Sequence, residues 1–435
     1  MAAEIVAEVA IVGGGMVGMA LAAALSGNGI ATCLIEAEKL PDLTGEAFDG
    51  RSSAIAYGSQ QVLKGIGAWD YMADDAEPIR DIRVSDGAWH MQGPSPFFVH
   101  YHFADLPAGA VPGADGAQPP FGWIIENRAV RRGLLKRLAE CPDLVHLGAA
   151  QVTGIDFAAT DSTDRRQIVH LADGRRVTAR LVIAADGRQS AVRRLAGIGA
   201  RELGYRHAAI VCTVTHDEPH HGVAHEHFLP VGPFAMLPMK DDVDATGNHR
   251  HRSSMVWTED QRIIPMLLRL SDEDLGKEIE RRFGSTLGQV RPIGPRFTYP
   301  LKVVLADTYV KDGLALAGDA AHGMHPIAGQ GFNMGVRDVA ALAEKLVDAH
   351  RLGLDLGSLN VLEGYARWRR FDNFTMVAVT DLLTRLFSND LPPIRLARDI
   401  GFFLFNKTKP LKRVAMRHAM GVVGDLPRLV RGLPL

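Results

Sequence analysis

The stretch from Leu314 to Asp338 carries more chemistry-bearing residues than any other part of the chain. An apolar run ends at Gly318-Asp319, a turn follows at Pro326, and Gly329-Gln330-Gly331 opens a helix. The order reads as a buried strand delivering a carboxylate, then a glycine-rich helix start whose free N–H groups face outward. A carboxylate at a strand end accepts hydrogen bonds from a sugar-like polyol, and helix-start amides hold an electron-rich carbonyl or a developing anion. A ribityl chain joined to an isoalloxazine ring presents both groups. Strand–turn–helix with glycines is also common for packing reasons, so this segment alone leaves both readings open.

A second constellation lies at the amino terminus. The apolar strand Glu8–Val12 runs into Gly13-Gly14-Gly15-Met16-Val17-Gly18, in which Gly13, Gly15 and Gly18 keep G-x-G-x-x-G spacing. The first glycine permits the tight turn, the second lets a pyrophosphate approach the backbone, and the third lets helix pack on strand. A helix over Met19–Leu25 and a strand over Ile30–Ile35 follow, the latter ending in Glu36, 18 residues beyond Gly18. That is where a ribose-binding carboxylate is expected. A carboxylate there repels a 2′-phosphate, which suits FAD or NAD, and the region of Asp319 decides for FAD because NAD has no ribityl group. Between these two motifs, Arg180–Arg193 is again strand, acidic turn (Asp186-Gly187) and basic helix start. Taken alone it is an ordinary Asp-Gly turn with surface arginines.

Positioning three such turns requires a doubly wound sheet. Residues 1–75, 106–200 and 301–375 are expected to form a discontinuous FAD-binding domain of alternating strands and helices. Residues 76–105 and 201–300 read differently. Ala209–Thr215 and Ser253–Thr258 look like consecutive strands with no crossover helix, predicting one antiparallel sheet that walls the substrate. Residues 376–435 are expected to be helical. The fold class is thus α/β: a Rossmann-like FAD-binding domain (GR2-type) interrupted by an antiparallel β-sheet substrate domain, with a C-terminal helical region.

The three motifs in this order resemble the class A flavoprotein aromatic hydroxylases of the para-hydroxybenzoate hydroxylase type. Within them the chain is most similar to the ubiquinone-biosynthesis branch, on Asp49–Ala56, Gly232–Pro238, Gly318–His322 through Gly329–Asn333, and the tail Arg428–Leu435. The resemblance implies non-covalent FAD, NADH or NADPH as co-substrate, O₂, and hydroxylation of a polyprenylated phenol in ubiquinone biosynthesis. It implies that Gly13, Gly15 and Gly18, with Met16 and Val17 between them, line the pyrophosphate and that Glu36 holds the adenosine ribose. Arg51 and Arg128 match arginines that reach the FAD, and Val152 would contact the adenine through its backbone. Asp319 would bind the ribityl chain. Pro326 and the segment Gly329, Gln330, Gly331, Phe332 and Asn333 would pack beneath the pyrimidine edge of the flavin. Asp186 would support both flavin and nicotinamide. No side chain is compelled to be a catalytic base. The Pro- and Gly-rich stretch Ala104–Pro120 and the polar loop Asp241–Arg252 depart from the pattern and bear on the shape of the substrate entrance.

Composition agrees with an enzyme of this kind. The chain has 435 residues, 47% of them hydrophobic, and can bury a large core. Its 48 basic and 50 acidic side chains give no pull toward nucleic acid. Cys33, Cys141 and Cys212 are widely separated, which fits a reducing cytoplasm without disulfides. No signal peptide and no run of about 18 apolar residues is visible. His216, His220, His221, His225 and His227 crowd together, but no acid or cysteine completes a metal set, and no metal is expected. His322 and His325 stand near the proposed flavin as acid–base groups or as loop supports. In the tail, Leu382, Leu383, Leu386 and Phe387, then Phe402–Phe405, precede Lys407, Lys409, Lys412, Arg413 and Arg417. Apolar clusters beside basic residues predict peripheral contact with the inner membrane, or with a multi-enzyme ubiquinone-biosynthesis complex; capping of the FAD domain is the other reading. A hydroxylase of another small aromatic, a flavin-dependent polyprenyl reductase, a halogenase, or a binding protein that has lost flavin would share the scaffold. The Trp-x-Trp-x-Ile-Pro signature of halogenases is absent.

Overall fold

In the computed structural model the described residues are 4–39, 48, 50–86, 98–114, 116, 118–159, 165–243, 247, 249–323, 330–370 and 408–435. Pro326, Gly329, His325 and residues 376–407 of the tail lie outside them, and of Gln330 only the backbone is described.

The chain begins with β1 (Glu4–Val6) and β2 (Val9–Val12), turns into α1 (Met16–Ser26), and returns along β3 (Thr32–Ile35). The helix therefore starts three residues before the expected Met19, directly on the glycine turn. Next come β4 (Ser52–Ala56), α2 (Tyr57–Gly65), β5 (Glu77–Ile79), β6 (Asp81–Asp86) and β7 (Phe98–His102). Then β8 (Gly122–Glu126), α3 (Asn127–Ala139), β9 (Leu144–Leu147), β10 (Val152–Asp156), β11 (Gln167–Leu171), β12 (Arg176–Ala179), β13 (Leu181–Ala184) and α4 (Ala191–Leu195). The long strands β14 (Ala200–His216), β15 (Val223–Leu229), β16 (Gly232–Val243) and β17 (His249–Asp260) lead to α5 (Ile264–Leu268), α6 (Asp272–Phe283) and β18 (Val290–Ala306). The chain closes with β19 (Val310–Lys311), β20 (Leu314–Leu316), α7 (Asp319–His322), α8 (Gln330–Arg351), a helical stretch 359–370, and α9 (Lys409–Ala419).

The central sheet has the order β19-β20-β13-β2-β3-β9, and every neighbour from β20 to β9 is parallel. Its strands are short apolar runs buried on both faces, as a parallel sheet covered by helices demands: Val9, Ala10, Ile11, Leu181, Val182, Ile183 and Leu314 are wholly inaccessible. Because the strands run together, Gly13, Glu36, Asp186 and Asp319 all emerge at one edge, where ligands of open α/β sheets bind.

A seven-stranded sheet, β18-β14-β17-β16-β15-β6-β7, forms the wall. Hairpin pairing is antiparallel throughout except for β15 beside β6, which is parallel, because β6 arrives from a distant part of the chain. One wall face packs Ile210, Phe234, Met255 and Trp257 against Leu275, Ile279 and Phe283 of α6. The other packs Ala224, Ala235, Leu237 and Met239 against Ala54 and Ile124 of the flavin side, Leu106 and Val111 of the Pro- and Gly-rich loop, and Met416 and Met420 of α9. The loop after Ala104 is thus part of the core and not a loose insertion. β18 continues past residue 300 to Ala306, so it belongs to the wall and to the return path at once.

Candidate functional site

The glycine turn separates its three roles cleanly. Gly13 has φ +109°, and a Cβ there would lie 2.4 Å from the Ala185 carbonyl oxygen. At Gly18 a Cβ would lie 1.9 Å from the Gly13 oxygen, so helix and turn touch without room for a side chain. Gly15 is exposed and a Cβ there would meet nothing within 4 Å, leaving open space in front of the uncapped start of α1. Glu36 does more than the sequence reading assigned: its Oε2 accepts the Gly14 N–H at 2.5 Å and its Oε1 the Glu38 N–H at 2.9 Å. The Ala150 N–H donates to the Glu36 carbonyl at 2.7 Å, which brings the start of β10, with Val152, beside it.

The middle motif is held from below. Asp186 Oδ2 accepts the Val192 N–H at 3.1 Å, and Ser190 caps α4 by accepting from Arg193 N at 2.9 Å. Arg193 is not the surface arginine expected of an ordinary turn. It is buried and donates to the Ala320 carbonyl at 2.8 Å and the Arg188 carbonyl at 3.0 Å, joining the middle and last motifs. Arg188 reaches the Asp319 carboxylate at 3.5 Å. Val17 fills the space left by two more glycines, since a Cβ at Gly335 would lie 2.5 Å from its Cγ2 and one at Gly318 3.3 Å from its Cγ1.

Behind Asp319 lies a buried charge cluster that the sequence reading missed. Asp338 on α8 is inaccessible and accepts from the Gly318 N–H at 2.8 Å, from Arg369 Nε at 2.7 Å, and bonds His322 Nε2 at 2.5 Å. Burial alone would raise its carboxyl, but the charges and hydrogen bonds of His322 and Arg369 outweigh this and hold it below the usual range. Tyr365 donates to the Leu316 carbonyl at 2.8 Å beside it. His322 is therefore a support of the Gly318-Asp319 turn. The signal was present: Asp338 interrupts an apolar helical stretch from Val336 to Leu342. Its partners, 16 and 31 residues away, were not visible.

Asn333 also proves to be a support. Its amide donates to the Ala54 carbonyl at 2.8 Å and accepts the Ala56 N–H at 2.9 Å, fixing β4 to the first turn of α8. Phe332 is buried in the main core, and Gly331 faces open space. Arg51 and Arg128 stand at the seam with the wall. The guanidinium of Arg51 lies 5.2 Å from the Phe297 ring, and that of Arg128 5.5 Å from the Phe48 ring. Arg128 Nε also bonds Glu126 at 2.6 Å, and the other Glu126 oxygen accepts from Arg252 of the wall at 3.0 Å.

The histidine cluster is part of the wall. His216 bonds Ser253 Oγ at 2.9 Å, His220 the Met239 carbonyl at 2.9 Å, and His227 Ser85 Oγ at 2.5 Å. Burial pushes His216 and His227 down to about 4 and His225 to about 3, so they stay neutral at pH 7.

Whether this mouth fits FAD can be judged from its unused groups. Asp186 Oδ1 is buried with no hydrogen-bond partner among the described residues, an acceptor waiting for a hydroxyl donor. Gly15 and Gly187, which follow β2 and β13 at that edge, have open space where a side chain would stand. Asp319 keeps a carboxylate partly exposed there. A polyol beside a pyrophosphate on a helix start matches that donor and acceptor set, and FAD carries both.

Comparison with known proteins agrees with this chemistry. The family model described as FAD binding domain matches residues 6–358, and one described as squalene epoxidase matches residues 295–425. Ubiquinone hydroxylase UbiL of Rhodospirillum rubrum is 49% identical over 438 residues, covering 100% of this chain and 94% of the relative. The 3-demethoxyubiquinol 3-hydroxylase of Escherichia coli is 36% identical over 95% of this chain and 98% of its own length. The mouse mitochondrial ubiquinone biosynthesis monooxygenase COQ6 is 31% identical over 96% and 91%. Among solved structures, p-nitrophenol 4-monooxygenase from Pseudomonas putida superposes with a TM-score of 0.74 at 22% identity, covering 97% of this chain and 99% of that one, which speaks for the fold.

Proposed function

The chain belongs to the FAD-binding-domain family and, within it, to the ubiquinone-biosynthesis hydroxylases, and on that premise we propose that it hydroxylates the aromatic ring of a polyprenylated phenol with NAD(P)H and O₂. The observation that carries the reading is the convergence of three turns on one mouth, joined by Arg188 to Asp319, Arg193 to Ala320 and Val17 to Gly318. Gly15 leaves room for the pyrophosphate in a turn that Gly13 and Gly18 allow to close tightly, Glu36 takes the ribose, and Asp319 with Asp186 takes the ribityl hydroxyls. When bound, FAD supplies the electron transfer and the activation of O₂. The protein orients the ring system and excludes water. A single glycine fingerprint serves FAD, so the nicotinamide docks without a Rossmann domain of its own. The wall face toward the flavin is apolar, as a prenylated ring requires. No helix among the described residues is long and apolar enough to cross a membrane; the substrate is taken from a bilayer surface or a partner protein through the outer face of α9.

Purified protein supplied with NADH or NADPH, O₂ and a short-chain prenylphenol is expected to show flavin absorbance and to form one hydroxylated product per O₂ consumed. A strain lacking the protein is expected to accumulate the unhydroxylated quinone precursor. A polyprenyl reductase would oxidise NAD(P)H without O₂ uptake, and that result would overturn the reading.

A further inference from the structure

We propose that Glu226, on the wall strand β15, receives the phenolic proton of the aromatic substrate; this rests on the hydroxylase reading above. Alternation along β15 puts His225 and His227 on the face toward Phe283, with ring centroids 5.2 and 5.3 Å away. Ala224 and Glu226 therefore point to the opposite face. In the ladder Glu226 stands opposite Ala235 on β16 and Val84 on β6. Ala224 and Ala235, its neighbours along and across the strands, pack in the cluster that contains Ala54 and Ile124 of the flavin side. The carboxylate thus rises from an apolar floor on the side where the substrate must lie.

Glu226 makes no hydrogen bond or ion pair among the described residues, although it is only partly exposed. Two cations on elements that border this cluster are paired with other acids: Arg252 bonds Glu126 at 3.0 Å and Lys412 bonds Asp105 at 2.7 Å. The titratable neighbour is Tyr101 on β7, opposite Ile82 and so on the same face. Its phenol is held above the ordinary range by burial first and by the charge of Glu226 second. Burial in turn pushes Glu226 up to about 7. A half-buried carboxyl on an apolar face, with no partner among the described residues, is poorly solvated in its charged form, and a perturbed acid lining a substrate wall is a functional candidate on physical grounds.

The chemistry supplies the explanation. Hydroxylation requires an electron-rich ring, and loss of the phenolic proton makes it richer. The substrate O–H bond breaks, its electron pair stays on the phenolate oxygen, and the proton bonds a Glu226 oxygen. A free phenol near pKa 10 is poorly matched to an ordinary carboxylate near 4.3 and much better matched to one near 7. Tyr101 stays protonated beside it.

The test uses flavin-loaded wild type, Glu226→Gln and Glu226→Asp with two short-chain prenylphenols. One has ordinary acidity; the other carries ring fluorines that leave it ionised at the assay pH. Glu226→Gln is expected to lower kcat on the ordinary phenol by about 100-fold or more while turning over the ionised analogue at a near wild-type rate. Glu226→Asp should restore much of the loss. The phenolate difference spectrum of the bound ordinary phenol should appear with wild type and vanish with Glu226→Gln. Equal losses on both phenols, or no loss on either, would overturn the proposal. Flavin content and unfolding midpoint report folding, and Glu226→Ala, read on the same two phenols, carries the test if the glutamine variant fails there. Wild type hydroxylating neither phenol would instead remove the hydroxylase reading itself, and the inference with it.

Discussion

At Glu36 a single carboxylate meets two demands. Its Oε2 already accepts the Gly14 N–H and its Oε1 the Glu38 N–H, so it shapes the glycine turn before any ribose arrives. On the proposed reading its remaining lone pairs would take the ribose hydroxyls, since an ionised carboxylate offers about four acceptor sites. Glu36→Ala is accordingly expected to weaken FAD binding by about tenfold or more, with each lost charge-assisted hydrogen bond worth about 1.5–3 kcal/mol. Glu36→Gln, which keeps the acceptor but not the charge, should fall between. Flavin release followed by fluorescence checks this; an alanine variant with unchanged affinity would show that the turn holds its shape and its ligand without the carboxylate. Glu36 was legible in the sequence because strand, turn, helix and strand are local and set its position by counting. Glu226 was not, because Val223–Leu229 carries two histidines and a glutamate without an apolar alternation that would mark which face is buried. Only pairing with β6 and β16, brought from both sides, shows it to be a buried strand.

At the scale of elements, the strand β20, the turn at Gly318 and the helices α7 and α8 are tied by one buried acid. Asp338 holds the Gly318 N–H, His322 and Arg369 together, so the position of the Asp319 carboxylate is set by residues buried beneath the turn. Asp338→Asn leaves Arg369 and His322 buried without their counter-charge, a change that costs about 3–5 kcal/mol in comparable sites. The variant should lose stability at pH 7 and lose flavin with it. The sign of the pH dependence follows from the depressed carboxyl: its stabilisation is fully present above the unfolded value near 3.9 and is lost as pH falls through the folded value. The gap between wild type and variant in unfolding midpoint should therefore hold from pH 8 to 5 and narrow below about 4. A gap that widened on acidification would mean Asp338 is protonated in the native protein. The three glycine turns were readable from sequence because each is a strand end followed by a helix start. The network beneath them was not, because periodicity reports which face is buried but not which distant charge waits there.

Across the whole molecule, the last described segment closes the structure. Met416 and Met420 of α9 are buried against the wall, the Gly58 N–H donates to the Met420 carbonyl at 2.8 Å, and Arg428 bonds Asp348 at 2.6 Å. The capping reading thus holds for the inner face of α9, while the proposed surface contact would fall on its outer face, where Lys409, Leu411, Arg413, Val414 and Arg417 point outward with Leu411 50% and Val414 57% exposed. Removing residues 376–435 would strip the core as well as any surface contact, and such a truncation would not separate the two roles. Replacing only the outward apolar pair does. Leu411→Asp with Val414→Asp introduces two anions beside Lys409, Arg413 and Arg417, cancelling part of the local positive charge and removing the apolar area that would enter the interface. Each basic residue near an anionic surface contributes about 1 kcal/mol, so the double variant should lose most of its flotation with phosphatidylserine-containing vesicles. Its unfolding midpoint, flavin content and turnover of a water-soluble prenylphenol should stay at wild-type values, because neither side chain packs inside. Flotation equal to wild type would show that the outer face of α9 does not meet the bilayer, and delivery of the substrate would then fall to a partner protein.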